Sequence, residues 1–121
     1  MTIKKILVVD DSPTERFALT ELLSARGYQV VTAENGEDAI AKSQSEMPDL
    51  ILMDVVMPGI NGYQATRMIA RSESTRSIPI IICTSKGLET DRIWGMRQGA
   101  HDYLVKPVDG AELLIRIQAL G

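Results

Sequence analysis

Polar and apolar positions along this chain fall into blocks. Short runs of Val, Ile and Leu recur, and each stops at a side chain with chemistry. Ile6-Leu7-Val8-Val9 runs into Asp10 and Asp11, Leu50-Ile51-Leu52-Met53 into Asp54, Ile80-Ile81-Ile82-Cys83 into Thr84, and Tyr103-Leu104-Val105 into Lys106-Pro107. An uninterrupted apolar run marks a strand covered on both faces, as in a parallel sheet. Gln29 to Ala33 reads as a further strand, second in chain order.

Between the runs the spacing turns helical. Ser12-Pro13-Thr14-Glu15 predicts a capping box with proline at the first helical position. Phe17, Leu19, Leu22 and Leu23 follow on a helix that ends at Gly27. Asn35 predicts the cap of a second helix, which runs to about Glu46 and is stopped by Met47-Pro48. Further helices are predicted from about Asn61 to Ser72, Glu89 to Gln98 and Asp109 to Leu120, with a polar loop over Glu73 to Ser77 and a last short strand from His101 to Val105. Five strands alternating strictly with five helices predict an α/β fold, a doubly wound parallel sheet with right-handed crossovers, as a single domain over residues 1–121.

Composition narrows the function. The net charge of −3, with Lys and Arg scattered, excludes a nucleic-acid surface. No apolar run approaches the ~18 residues of a membrane span. Met1-Thr2-Ile3-Lys4-Lys5 leads straight into the first strand, which leaves no room for a signal peptide. Cys83, the only cysteine, excludes an internal disulfide and fits a reducing cytoplasm. Cys83, Met53 and Met57 are expected to be packing residues and His101 a surface residue. With no exposed apolar stripe evident, a monomer is expected.

In doubly wound sheets the ligand crevice lies beyond the carboxyl ends of the strands. That edge would gather Asp10, Asp11, Asp54, Thr84 and Lys106. Each has a bland reading alone: an acid pair after a strand is as readily a turn or helix cap. Four strand ends carrying such groups together point to a site. Crowded carboxylates repel one another unless a cation binds, and an all-oxygen donor set suits Mg²⁺. A carboxylate beside Mg²⁺ and a fixed lysine accepts a phosphoryl group, with the work lying in positioning and charge neutralisation.

Val8-Val9-Asp10-Asp11-Ser12, Met53-Asp54-Val55-Val56-Met57-Pro58-Gly59 with Gly62, Thr84-Ser85 and Val105-Lys106-Pro107 are together similar to the receiver domain of bacterial two-component response regulators, across essentially the whole chain. The resemblance implies a flavodoxin-like (βα)5 fold with strand order 2-1-3-4-5. It implies that Asp54 is the phosphoacceptor. Mg²⁺ would be bound by Asp11, Asp54 and the Val56 carbonyl, with Asp10 acting through water. Thr84 and Lys106 would contact the phosphoryl oxygens. Tyr103 would be a switch aromatic that turns inward as Thr84 moves, and the bond to Pro107 would be cis and seat Lys106. Such a protein catalyses only its own phosphorylation and dephosphorylation, and is otherwise no enzyme. Ser85 stands where the family often has alanine. Val56 and Lys86 stand where relatives flank the attacking water; Val56 cannot orient one, which implies a long-lived acyl phosphate.

The output face implied is the fourth helix, fifth strand and fifth helix. Trp94, the only tryptophan, is expected to pack in the core, with a partner surface as the alternative. Asp11-Ser12-Pro13-Thr14-Glu15, Gly62-Tyr63-Gln64-Ala65-Thr66-Arg67 and Glu89 to Ala100 resemble stand-alone receivers of the chemosensory system that controls type IV pili and twitching motility. The implied partners are a CheA-like sensor histidine kinase and a pilus motor or regulator; a phosphate sink is the alternative role. A haloacid-dehalogenase-type phosphatase needs a second acid where this chain has Val56. A flavodoxin needs a hydroxyl- and glycine-rich loop where it has Asp10-Asp11-Ser12-Pro13. A receiver cut from a longer DNA-binding regulator remains an alternative.

Overall fold

The structure is a computed structural model and describes residues 2–121; Met1, on which the reading of the N terminus partly rests, lies outside them. Strands and helices alternate as β1 (Lys5–Val9), α1 (Pro13–Ser24), β2 (Gln29–Ala33), α2 (Gly36–Glu46), β3 (Leu50–Met53), α3 (Gly62–Arg71), β4 (Ile80–Thr84), α4 (Glu89–Arg97), β5 (Asp102–Val105) and α5 (Gly110–Leu120). The strands form one parallel sheet in the order β2-β1-β3-β4-β5, as expected.

Each apolar run divides its side chains between the two faces of the sheet, because successive residues of a strand point to opposite sides. Leu7, Val9, Ile51, Met53, Ile80, Ile82 and Tyr103 pack with Ala39, Tyr63, Ala65 and Ile69 from α2 and α3. Ile6, Val8, Leu50, Leu52, Ile81, Cys83 and Leu104 pack with Leu23 of α1 and Leu113, Leu114 and Ile117 of α5. No helix among the described residues is long and apolar enough to cross a membrane.

Several local expectations are corrected. Ser12 caps α1 by accepting the Glu15 N–H (3.3 Å), but its own N–H goes to Asp10 Oδ1 (2.9 Å), so Glu15 does not close a capping box. A reciprocal box forms instead at α3, between Asn61 and Gln64. The helix of α1 stops at Ser24, and Gly27 takes a left-handed conformation three residues later. The end of α2 is as expected: the helix runs to Glu46 and Met47, left-handed at φ 45°, closes it. The last strand begins at Asp102, after an exposed His101.

Phe17 is 66% exposed. Leu19, Leu22 and Leu23 make one stripe at i, i+3 and i+4, and Phe17, two residues before Leu19, falls on the other side of the helix. Trp94 is 50% exposed and does not join the core. The face that α4 turns to the sheet is Gly95, where an added Cβ would lie 3.0 Å from Ile82 and Tyr103. That close approach leaves Trp94 and Ile93 facing outward. With Leu88 and Val105 also exposed, the surface carries more open apolar side chains than the sequence reading allowed.

Candidate active site

The sheet ladder runs one residue beyond the strands and so fixes the residues that follow them. Asp10 N–H bonds to the Ala33 carbonyl (3.1 Å), Asp54 N–H to Val9 (3.0 Å) and Lys106 N–H to Thr84 (2.8 Å). Carboxylate oxygens of Asp10, Asp11 and Asp54 consequently lie within 4.8 Å of one another, with Asp10 and Asp54 buried and Asp11 exposed. Lys106 reaches across the edge from β5. Its Nζ is 2.8 Å from Asp10 Oδ2, 2.9 Å from Glu15 Oε2 and 3.5 Å from Asp54 Oδ1. The Lys106–Pro107 bond is cis.

Asp54 is 7% exposed. Burial, reinforced by the charge of Asp10, pushes its carboxyl up to about 6, against the pull of Lys106 and a hydrogen bond from Val55 N–H. Burial lowers the Lys106 ammonium, but its hydrogen bonds to Asp10 and Glu15 and the charge of Asp54 outweigh this and hold it above its usual range. Burial raises the Cys83 thiol to about 12, so it is an inert core side chain.

The loop after Asp54 is held by a close backbone approach. Gly62 N–H donates to the Val55 carbonyl (2.9 Å), and a Cβ at Gly62 would sit 1.9 Å from the Asp54 carbonyl oxygen. Only glycine fits there. The Val56 side chain in this loop is exposed. Thr84 is fully buried, and its Oγ1 accepts the Lys86 N–H (3.3 Å).

Tyr103 is turned inward and buried. Its hydroxyl donates to the Lys86 carbonyl (2.7 Å) and pairs with the Tyr63 hydroxyl (3.1 Å), which also approaches the Asp91 carbonyl (3.3 Å). Burial and the Tyr63 contact raise the Tyr103 hydroxyl above its ordinary range. One pair of phenols thus ties α3, β5, the β4–α4 loop and α4 together.

Asp10, Asp54 and Lys106 come together as expected, with Asp11 at the rim and Thr84 joined to Lys106 through the backbone. Sequence reasoning missed three participants. Glu15 looks like a helix cap and becomes a partner of Lys106. Arg16 Nη1 donates to the Asp10 carbonyl (2.7 Å). Tyr63 meets Tyr103 across 40 positions, and no local spacing announces that pair.

The arrangement fits a hard divalent cation: the clustered donors are all carboxylates, and Lys106 alone does not neutralise them. The chain matches the response regulator receiver domain over residues 6–118. It is 55% identical to Protein PilH of Pseudomonas aeruginosa over 96% of both chains. Other relatives are longer, and the chain spans 26% to 51% of their length. Its structure resembles chemotaxis protein CheY4 of Vibrio cholerae, with a TM-score of 0.92 and 32% identity over 99% of this chain and 100% of that one. It also resembles the receiver domain of a Pseudomonas aeruginosa sensor histidine kinase, with a TM-score of 0.89 and 36% identity over 98% and 97% of the two chains. That receiver has a magnesium ion coordinated in its active site cleft.

Proposed function

The chain belongs to the response regulator receiver family, and on that premise we propose that it takes a phosphoryl group from a histidine kinase onto Asp54 in a Mg²⁺-dependent reaction. The observation that carries this reading is Lys106 Nζ standing 3.5 Å from Asp54 Oδ1 at the edge where three carboxylates converge. Asp11, Asp54 and the Val56 carbonyl would hold Mg²⁺, with Asp10 acting through water. The ion, when bound, supplies positive charge to the phosphoryl oxygens.

An Asp54 carboxylate oxygen attacks the phosphorus of a phosphohistidine. A P–O bond forms, the P–N bond breaks, and the imidazole leaves and takes up a proton. Burial keeps bulk water from the carboxylate, and the Val55 N–H orients it through Oδ1. Lys106 meets the charge on the equatorial oxygens and Thr84 offers its hydroxyl. The chain catalyses only this transfer and its own dephosphorylation, in which water attacks the phosphorus, the bond to Asp54 breaks, and inorganic phosphate leaves with the carboxylate restored.

The phosphorylated state would be read on α4, β5 and α5, where Trp94, Val105 and Ile115 are exposed. The relation to PilH, at 55% identity, supports a cytoplasmic receiver in control of type IV pilus twitching motility, served by a CheA-like kinase and acting on a pilus motor or regulator.

The test is intact mass after adding Mg²⁺ and a small phosphodonor to wild type and Asp54→Asn. A gain of one phosphoryl group that needs both Mg²⁺ and Asp54 is expected. Failure to bind Mg²⁺, or equal labelling of Asp54→Asn, would overturn the assignment.

A further inference from the structure

Lys106 has three N–H donors, and in the structure three carboxylates surround them. Asp10 and Asp54 belong to the acidic edge. Glu15 reaches the lysine from α1, at 2.9 Å. An acid at the third position of a helix ordinarily turns back to its N-cap. Here Asp10 Oδ1 occupies the Ser12 N–H, which frees the Glu15 side chain to point into the site. Glu15 and Lys106 both line a recess of about 170 Å³ with Asp10, Ala18, Leu19 and Cys83. The Glu15 side chain is 46% exposed, so it has open space into which to rotate.

We propose that Glu15 is a positioning residue that competes with phosphoryl oxygens for Lys106, and so sets the site's affinity for a tetrahedral anion on Asp54. This rests on the reading of Asp54 as phosphoacceptor. A phosphoryl group bonded to Asp54 brings oxygens carrying nearly two negative charges to the lysine. To meet them, Lys106 must give up one of its carboxylates. Asp10 is buried and fixed through both oxygens, to Ser12 and to Lys106, so it is the harder one to release. Glu15 holds the lysine by one contact and is half open to solvent, so it leaves. Until then it draws Lys106 toward α1 and away from an incoming anion. A half-exposed ion pair contributes modestly, so the effect is one of tuning.

The probe is beryllium trifluoride, a stand-in for a phosphoryl group on a carboxylate, titrated calorimetrically in saturating Mg²⁺. Glu15→Gln keeps the size and removes the charge. It should bind the probe about two- to fivefold more tightly than wild type, as removal of one weak competing ion pair requires. In a Lys106→Met background the same substitution should change nothing, which a merely structural role for Glu15 would not produce. Equal or weaker binding by Glu15→Gln would overturn the proposal. So would an undiminished gain in the Lys106→Met background, since Glu15 would then act by charge alone. If wild type in saturating Mg²⁺ binds no probe at all, the phosphoacceptor reading fails and this one with it; equal binding in both proteins removes this one alone.

Discussion

Asp54 sits where a carboxylate is costly to ionise, and that cost has a sign that experiment can read. Unfolded, the group titrates near 3.8; buried beside Asp10 it titrates at about 6. Between those values the native chain holds a proton that the unfolded chain has lost. Its contribution to stability is therefore most favourable below pH 4 and declines as pH rises through 6. Metal-free Asp54→Asn should be more stable than wild type at pH 7, by about 1–3 kcal/mol. The gap should close as pH is lowered toward 4, in urea titrations at each pH. A gap that does not change with pH would remove burial as the cause. Val56 poses a different question at the same edge. Its exposed apolar side chain offers no hydrogen bond to a water attacking the acyl phosphate. Val56→Asn should speed dephosphorylation several-fold, measured by loss of the phosphoryl mass; an unchanged rate would place the limit elsewhere.

At the scale of elements, the β3–α3 connection and the α4 contact set the tolerances of the site. A methyl at Gly62 would meet the Asp54 backbone oxygen at 1.9 Å, and backbone cannot yield as a side chain can. Gly62→Ala should cost at least about 1–3 kcal/mol of stability and shift Asp54 enough to impair labelling. A folded, fully labelled variant of wild-type stability would contradict the packing described. The two phenols make a similar test for α4. Tyr63→Phe removes one hydrogen bond to Tyr103, costs about 1 kcal/mol, and should speed amide exchange over Lys86 to Asp91.

These elements also explain which parts of the molecule could be read from sequence. Apolar runs with chemical side chains at their ends predict the sheet, its strand ends and the convergence of Asp10, Asp54 and Lys106, because strand direction is all that convergence needs. The destination of Glu15 depended on whether Asp10 or Glu15 took the Ser12 N–H, a competition between two good acceptors that spacing does not decide. Trp94 is expected in the core, with a partner surface as the alternative. Its outward position follows from Gly95, whose missing side chain lets α4 approach Tyr103 closely and turns the neighbouring residues out.

Over the whole molecule, the acidic edge is a local concentration of charge in a chain whose net charge is only −3. Three carboxylates within 4.8 Å oppose one another, and Lys106 is shared among Asp10, Asp54 and Glu15. The unfolded chain spreads those groups apart and has no such cluster to offer a cation. Mg²⁺ should therefore bind the native state alone and stabilise the entire domain, since the ligands follow β1 and β3 near the centre of the sheet. At a hundredfold excess over its dissociation constant the increment is about 2.7 kcal/mol. It should appear as a rise in Tm on adding Mg²⁺, disappear with a chelator, and shrink sharply in Asp11→Asn, whose exposed carboxylate touches little else of the fold. A Tm that rises equally in Asp11→Asn would mean that the ion acts through general screening of the acidic surface, because only a built site depends on one rim carboxylate.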